Sequence, residues 1–187
     1  MRLIILSLIF LFTPIVIAEQ VIEQHTTYYK VKVSSKEKLL ESVNHASPIR
    51  ENGKVFHGYT RFDIRWRFNW EKTAKRCRLV RVKTILQLKY TMPELDSDSQ
   101  QVNTVWAPWY SKLLLHEQGH GELAITFASK IEDALKSMRP QRDCKTLSDD
   151  ANTVAYKIVE QLNKASAAYD VKTNHGETQG AWLHSHL

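Results

Sequence analysis

Between Gly58 and Trp70 the chain reads GYTRFDIRWRFNW, and apolar and polar residues alternate one for one. Phe62, Ile64, Trp66, Phe68 and Trp70 fall on one face, and Arg61, Asp63, Arg65, Arg67 and Asn69 on the other. The segment RLVRVKTILQLKY (78–90) repeats the pattern: Val80, Val82, Thr84, Leu86, Leu88 and Tyr90 point one way, and Arg81, Lys83, Gln87 and Lys89 the other. Period-two alternation predicts antiparallel strands with one face in water. A shorter alternating run, TYYKVKV (Thr27 to Val33), precedes them. Between these lies Ser34 to Ser47, which predicts a short helix with a Ser N-cap, an apolar side of Leu39, Leu40 and Val43, and a stop at Pro48. The residues ENGK (51–54) mark a turn.

The period then changes. Met92 to Thr104, MPELDSDSQQVNT, is polar and long for a plain connection, which predicts a mobile loop near a site. From Pro108, a residue suited to a first helical turn, apolar positions recur at three and four: Leu113, Leu123, Ala124, Phe127, Ile131 and Leu135. His116, Glu117 and His120 lie in the same stripe. A second helix is expected from Ser148 to Ala168, with Ala151, Val154, Ala155, Ile158, Leu162 and Ala165 as its apolar side. Strands first and helices second read as an α+β fold: a small antiparallel sheet followed by two long helices.

The 187 residues suit one domain. Residues 1–18 read as an export signal, with Arg2 ahead of an apolar run from Leu3 to Ile17 and small Ala18 before the cleavage point. The run is shorter than the roughly 20 residues a membrane span needs, and Pro14 interrupts it. The expectation is a single domain over 19–187 without a stable membrane anchor, exported to the periplasm or beyond. Loss of residues 1–18 removes Arg2 and no acid, so the formal charge of +6 becomes +5. The densest basic stretch, Glu71 to Lys83, reads as the solvated face of a strand and its turn, and no motif points to a nucleic-acid partner. Cys77 and Cys144 are the two cysteines, and in an exported chain an isolated pair is expected to be bridged.

One stretch of the first long helix departs from plain core: LLLHEQGHGELA (113–124). Residues i and i+4 share a helix face, so His116 and His120 can turn imidazole nitrogens toward one cation. Glu117 then lies where it can reach a water without binding the metal itself. This is the H-E-x-x-H arrangement of zinc hydrolases, in which zinc acidifies water and the glutamate acts as general base and then acid. Gly119 and Gly121 each weaken a helix by about 0.5–1 kcal/mol, which is expected where something must approach the backbone closely. A catalytic zinc site takes three protein ligands. Leu123 and Thr126 stand where the extended motif would place its glycine and third histidine, so the third ligand must come from elsewhere. His175 is the first candidate, with Asp170, Glu122 and Glu160 as the others. The chemistry suits a peptide or protein substrate, or another amide; a non-catalytic envelope protein with a structural metal or a basic binding surface is the competing expectation.

LHEQGHGELA followed far downstream by YDVKTNHGETQGAW (169–182) resembles the bacterial family called domain of unknown function 922, described as predicted secreted zinc-dependent proteases. The YYKVKV and GYTRFDIRWRF segments, Cys77, WAPWYSKLL and Cys144 are also similar. The resemblance implies a zincin-like domain in which His116, Glu117, His120, Tyr169, Asp170, His175, Gly176, Gln179 and Gly180 belong to one site. It opens two roles in the tail: Tyr169 as a hydrogen-bond donor to a developing oxyanion, and Asp170 as a support that orients a ligating histidine.

Overall fold

The computed structural model describes residues 16–187. The segment read as an export signal therefore lies outside the described residues up to Ile15; Ile17 and Ala18 already belong to the first strand.

The chain runs β1 (Ile17–Lys32), α1 (Leu39–Ala46), β2 (Ile49–Glu51), β3 (Lys54–Phe56), β4 (Tyr59–Lys72), β5 (Cys77–Asp96), α2 (Gln100–Lys136) and α3 (Cys144–Thr173), with short 3-10 turns before α1 and after α3. This is an α+β arrangement of a small sheet and long helices. The main sheet has the order β1-β5-β4. The two alternating segments pair antiparallel as expected, with Phe62 beside Leu88, Ile64 beside Leu86 and Phe68 beside Val82. The sheet as a whole is mixed, however, because β1 lies parallel to β5. Alternation reports a half-buried face and carries no strand direction. The run from α1 to β3 carries the chain past β5 to the opposite edge, and β4 then runs back, so that β5 starts at the same end as β1.

Three boundaries differ from the sequence reading. β1 begins ten residues before Thr27, at Ile17, and its early part mixes apolar and polar residues on both sides, as an edge strand with little buried surface allows. A bulge between Asn69 and Trp70 places Trp70 opposite Leu79 and leaves Val80 unpaired, so Leu79, not Val80, joins the buried row. The expected loop at Met92–Thr104 is mostly regular structure: Met92 is fully buried in β5, and only residues 97–99 connect strand to helix. Ser99 caps α2, its Oγ accepting from the Val102 N–H. Pro108 sits inside the helix because Val102, Val105 and Trp106 already begin the buried stripe.

α2 and α3 cover one face of the sheet. Toward one end Cys77, Leu79, Val82, Ile131, Leu135, Leu147, Ala151 and Ala155 form a fully or almost fully buried cluster. The Cys77–Cys144 disulfide expected from the sequence closes that end. Toward the other end Leu86, Leu88 and Met92 pack against Trp109, Leu113 and α1. Among the described residues no helix is long and apolar enough to cross a membrane.

Candidate metal centre

The apolar stripe of α2 continues through His116, Glu117 and His120, which are 5 %, 4 % and 8 % exposed. Burying three ionisable groups in a row is costly unless each has partners, and each has them. His116 Nδ1 lies 2.8 Å from Gln179 Oε1, and His120 Nδ1 lies 2.8 Å from Ser166 Oγ. With Nδ1 engaged, each ring turns Nε2 toward the same carboxylate: Asp170 Oδ1 is 3.4 Å from His116 Nε2 and 3.1 Å from His120 Nε2. Thr60 Oγ1 donates to Glu117 Oε2 at 2.6 Å, which fixes the glutamate against β4. Glu117 Oε1 lies over Gly58, where a methyl group would come within 2.6 Å of it.

Asp170 comes from α3, which runs five residues beyond the expected end, so Tyr169 and Asp170 are helical and not part of an irregular tail. One turn separates Ser166 from Asp170, and both face α2. His116, His120 and Asp170 form a group able to hold a metal ion, with one ligand atom from each lying within 4.8 Å of the others. His175, the first candidate for third ligand, is outside that group: its Nδ1 is 3.9 Å from Asp170 Oδ1 and its side chain is 46 % exposed. It stands in a run of left-handed backbone, Asn174, His175 and Gly176, with φ of 46°, 50° and 84°, and its ring packs on Phe56. This left-handed run caps α3: Asn174 is the C-cap, and the His175 N–H donates to the Asp170 carbonyl at 2.8 Å.

Tyr169 faces elsewhere than expected. Its ring stacks on His116 at 5.2 Å, and its hydroxyl accepts from Gln179 Nε2 at 3.0 Å, against Gly119. It supports the His116–Gln179 contact from behind and does not line the cavity. The two helix glycines find their reason here. A methyl group at Gly119 would collide with the Tyr169 hydroxyl, and one at Gly121 with the Tyr90 hydroxyl.

The electrostatics follow from this packing. Burial pushes the Glu117 pKa up, against the Thr60 hydrogen bond and the two imidazoles. Burial would raise Asp170 as well, but the His116 and His120 contacts outweigh it and hold that carboxyl well below its usual range. Burial opposes protonation of His116, yet its hydrogen bonds to Asp170 and Gln179 prevail and raise its pKa.

The site opens into a cavity of about 720 Å³ walled by α1, the β2–β3 hairpin, α3 and the segment 181–184. His57, which no sequence pattern singles out, is part of this wall. Its Nε2 meets Asn44 Oδ1 at 2.7 Å, its ring packs edge-on against Trp109, and burial lowers its pKa to about 4.

Residues 26–176, covering both the HEQGH helix and Asp170, match the family described as "Bacterial protein of unknown function (DUF922)". The chain belongs to the DUF922 family. No curated protein and no solved structure matches it. The DUF922 match stops at Gly176, so Gln179, which orients His116, lies just beyond it. Thr60 and Ser166 were not singled out from the sequence. A threonine in the inward row of β4 and a serine four residues before Asp170 were the available signals.

Proposed function

We propose that this chain is an exported zinc-dependent hydrolase of peptide or related amide bonds, a metallopeptidase with the zincin-like division of labour between two histidines and a glutamate. The observation that carries the reading is the convergence of His116 Nε2 and His120 Nε2 on Asp170 while Glu117 shares their cavity. The donor set fits zinc. A tetrahedral site with arms of about 2.0–2.1 Å has edges of about 3.3–3.4 Å, and the two Nε2–Oδ1 separations are 3.4 and 3.1 Å. His116, His120 and Asp170 would hold the ion. Gln179 Oε1 can only accept, so His116 carries its proton on Nδ1 and leaves Nε2 free to ligate, while Ser166 engages His120 Nδ1 and orients that ring.

Zinc supplies Lewis acidity, polarising a carbonyl and acidifying water. The chain supplies the rest. Glu117 takes the proton of the attacking water and passes it to the leaving nitrogen. Its burial raises its proton affinity toward that of a working base, and Thr60 holds one carboxylate oxygen so that the other is presented to the cavity. Ser166 and Gln179 orient the imidazoles, with Tyr169 behind Gln179. His175 stands on the cavity wall just past the α3 cap, with Nδ1 3.9 Å from Asp170 Oδ1, where it can donate to the developing oxyanion. The disulfide and the apolar leader before β1 support export, and a peptide or protein is the expected substrate.

Elemental analysis tests the site: one zinc per chain in the wild type, lost in Asp170→Ala and retained in His175→Ala. Loss in His175→Ala with retention in Asp170→Ala would move the third ligand to His175. A wild type that takes up no zinc after remetallation would sink the hydrolase reading.

A further inference from the structure

We infer that the end of the molecule closed by the disulfide is a docking surface for an anionic lipid bilayer. Two separate basic segments meet there. One is the β4–β5 turn with Lys72, Lys75 and Arg76; the other is the α2–α3 connection with Arg139 and Arg142. The Cys77–Cys144 bond and the paired backbone of Cys77 and Gln141 (2.8 and 2.9 Å) hold the two together. All five cations are exposed. Among the described residues their neighbouring carboxylates are engaged elsewhere: Glu71 pairs with Arg78, Asp149 with Lys145, and Asp143 caps α3. The sequence alone shows only the first segment, which reads as an ordinary solvated turn. The fold doubles it.

Two further observations select a bilayer as the occupant. Trp70, 48 % exposed, stands at the same end, and an exposed tryptophan beside cations is the composition of a membrane interface. The surface is also a pair of turns, and none of its five cations lines the cavity of about 720 Å³. A single-stranded nucleic acid would call for a groove and several stacking rings. The active-site cavity lies away from this surface: from His120 to Lys136 is about 24 Å along α2, at 1.5 Å per residue.

The test is flotation of the exported chain, from Glu19 onward, with vesicles of phosphatidylcholine alone and with phosphatidylglycerol added. The ratio of the anionic to the neutral affinity isolates the contribution of charge. The ratio should be well above one, fall with salt, and drop about fivefold for each cation removed in K75Q, R76Q, R139Q and R142Q. Trp70→Ser should weaken binding to the anionic vesicles further. Lys38→Gln with Lys157→Gln, which removes two charges from other surfaces, should leave the ratio within about twofold, where any two of the four should lower it about 25-fold. Matching thermal melts establish that every variant is folded. Equal binding to both lipids, equal loss in the Lys38/Lys157 control, or capture of an oligonucleotide without capture of vesicles would each overturn the proposal.

Discussion

At the Cys77–Cys144 end, α2 and α3 meet through Ile131, Leu135, Leu147, Ala151 and Ala155, all without exposed surface. Further along, the same two helices meet through His116, His120, Ser166 and Asp170. The first contact is stabilised by apolar burial and by the covalent bond. The second places imidazoles and carboxylates where water is scarce, and each survives only because a specific partner answers it. One helix pair thus keeps its cohesion at one end and its chemistry at the other. The polar end gives up packing energy to hold groups that a core has no use for, which is what a site requires and a scaffold does not.

Four changes would break or sharpen that contrast. The largest effect is expected from Glu117→Gln, which removes the base and keeps the shape. Hydrolysis should fall by about 10²–10⁴-fold, while zinc content stays at one per chain and the melting temperature does not drop. Undiminished turnover in this variant would mean that Glu117 is structural. Next comes the double variant Cys77→Ser with Cys144→Ser. Denaturant unfolding should show a loss of about 4 kcal/mol, with the zinc affinity of the folded protein unchanged. A parallel loss of zinc would show that the two ends are not independent.

Gly119→Ala should be smaller but more telling. Alanine ordinarily strengthens a helix, yet here it drives into Tyr169, and a cost of about 1–3 kcal/mol is expected. Because Tyr169 backs Gln179 and Gln179 holds His116, zinc titration should weaken as well. The last change concerns His57, whose pH effect is absent near neutrality and shows only in acid. It binds its proton less readily when folded (about 4) than when unfolded (6.5), so the unfolded chain holds more protons between those values. Its contribution is fully present above pH 6.5 and is lost as the pH falls toward 4, at up to about 1.4 kcal/mol per pH unit. Subtracting the stability profile of His57→Gln from that of the wild type should isolate this slope, and identical profiles would count against it.

The sequence exposed the apolar end more fully than the polar one. Strand faces and helix stripes are periodic, so Phe62, Leu86, Ile131 and Ala155 were legible from spacing alone, and His116, Glu117 and His120 were legible because they ride the same period. The parallel pairing of β1 was hidden because alternation carries no strand direction, and its first ten residues were hidden because an edge strand with little buried surface shows no clean alternation. Pro108 and the polar run before it disguised the first two turns of α2. In the site, Asp170 was on the short list, but its geometry depends on α3 extending through Tyr169, which places the carboxylate toward the imidazoles and the phenol behind them. Thr60 escaped notice since its role is set by which helix lies over β4, a fact that no local pattern carries.

The partners of the site residues are far apart along the chain. Glu117 is held by a residue 57 positions earlier, and His116 and His120 by residues 63 and 46 positions later. A polypeptide is made from its N-terminus, so the HEQGH helix exists well before the groups that orient it. Until residues 166 and 170 have been added His120 lacks its partners, and until residue 179 has folded back so does His116. The order of synthesis therefore acts as a delay: the site cannot assemble until nearly the whole chain has been made and folded.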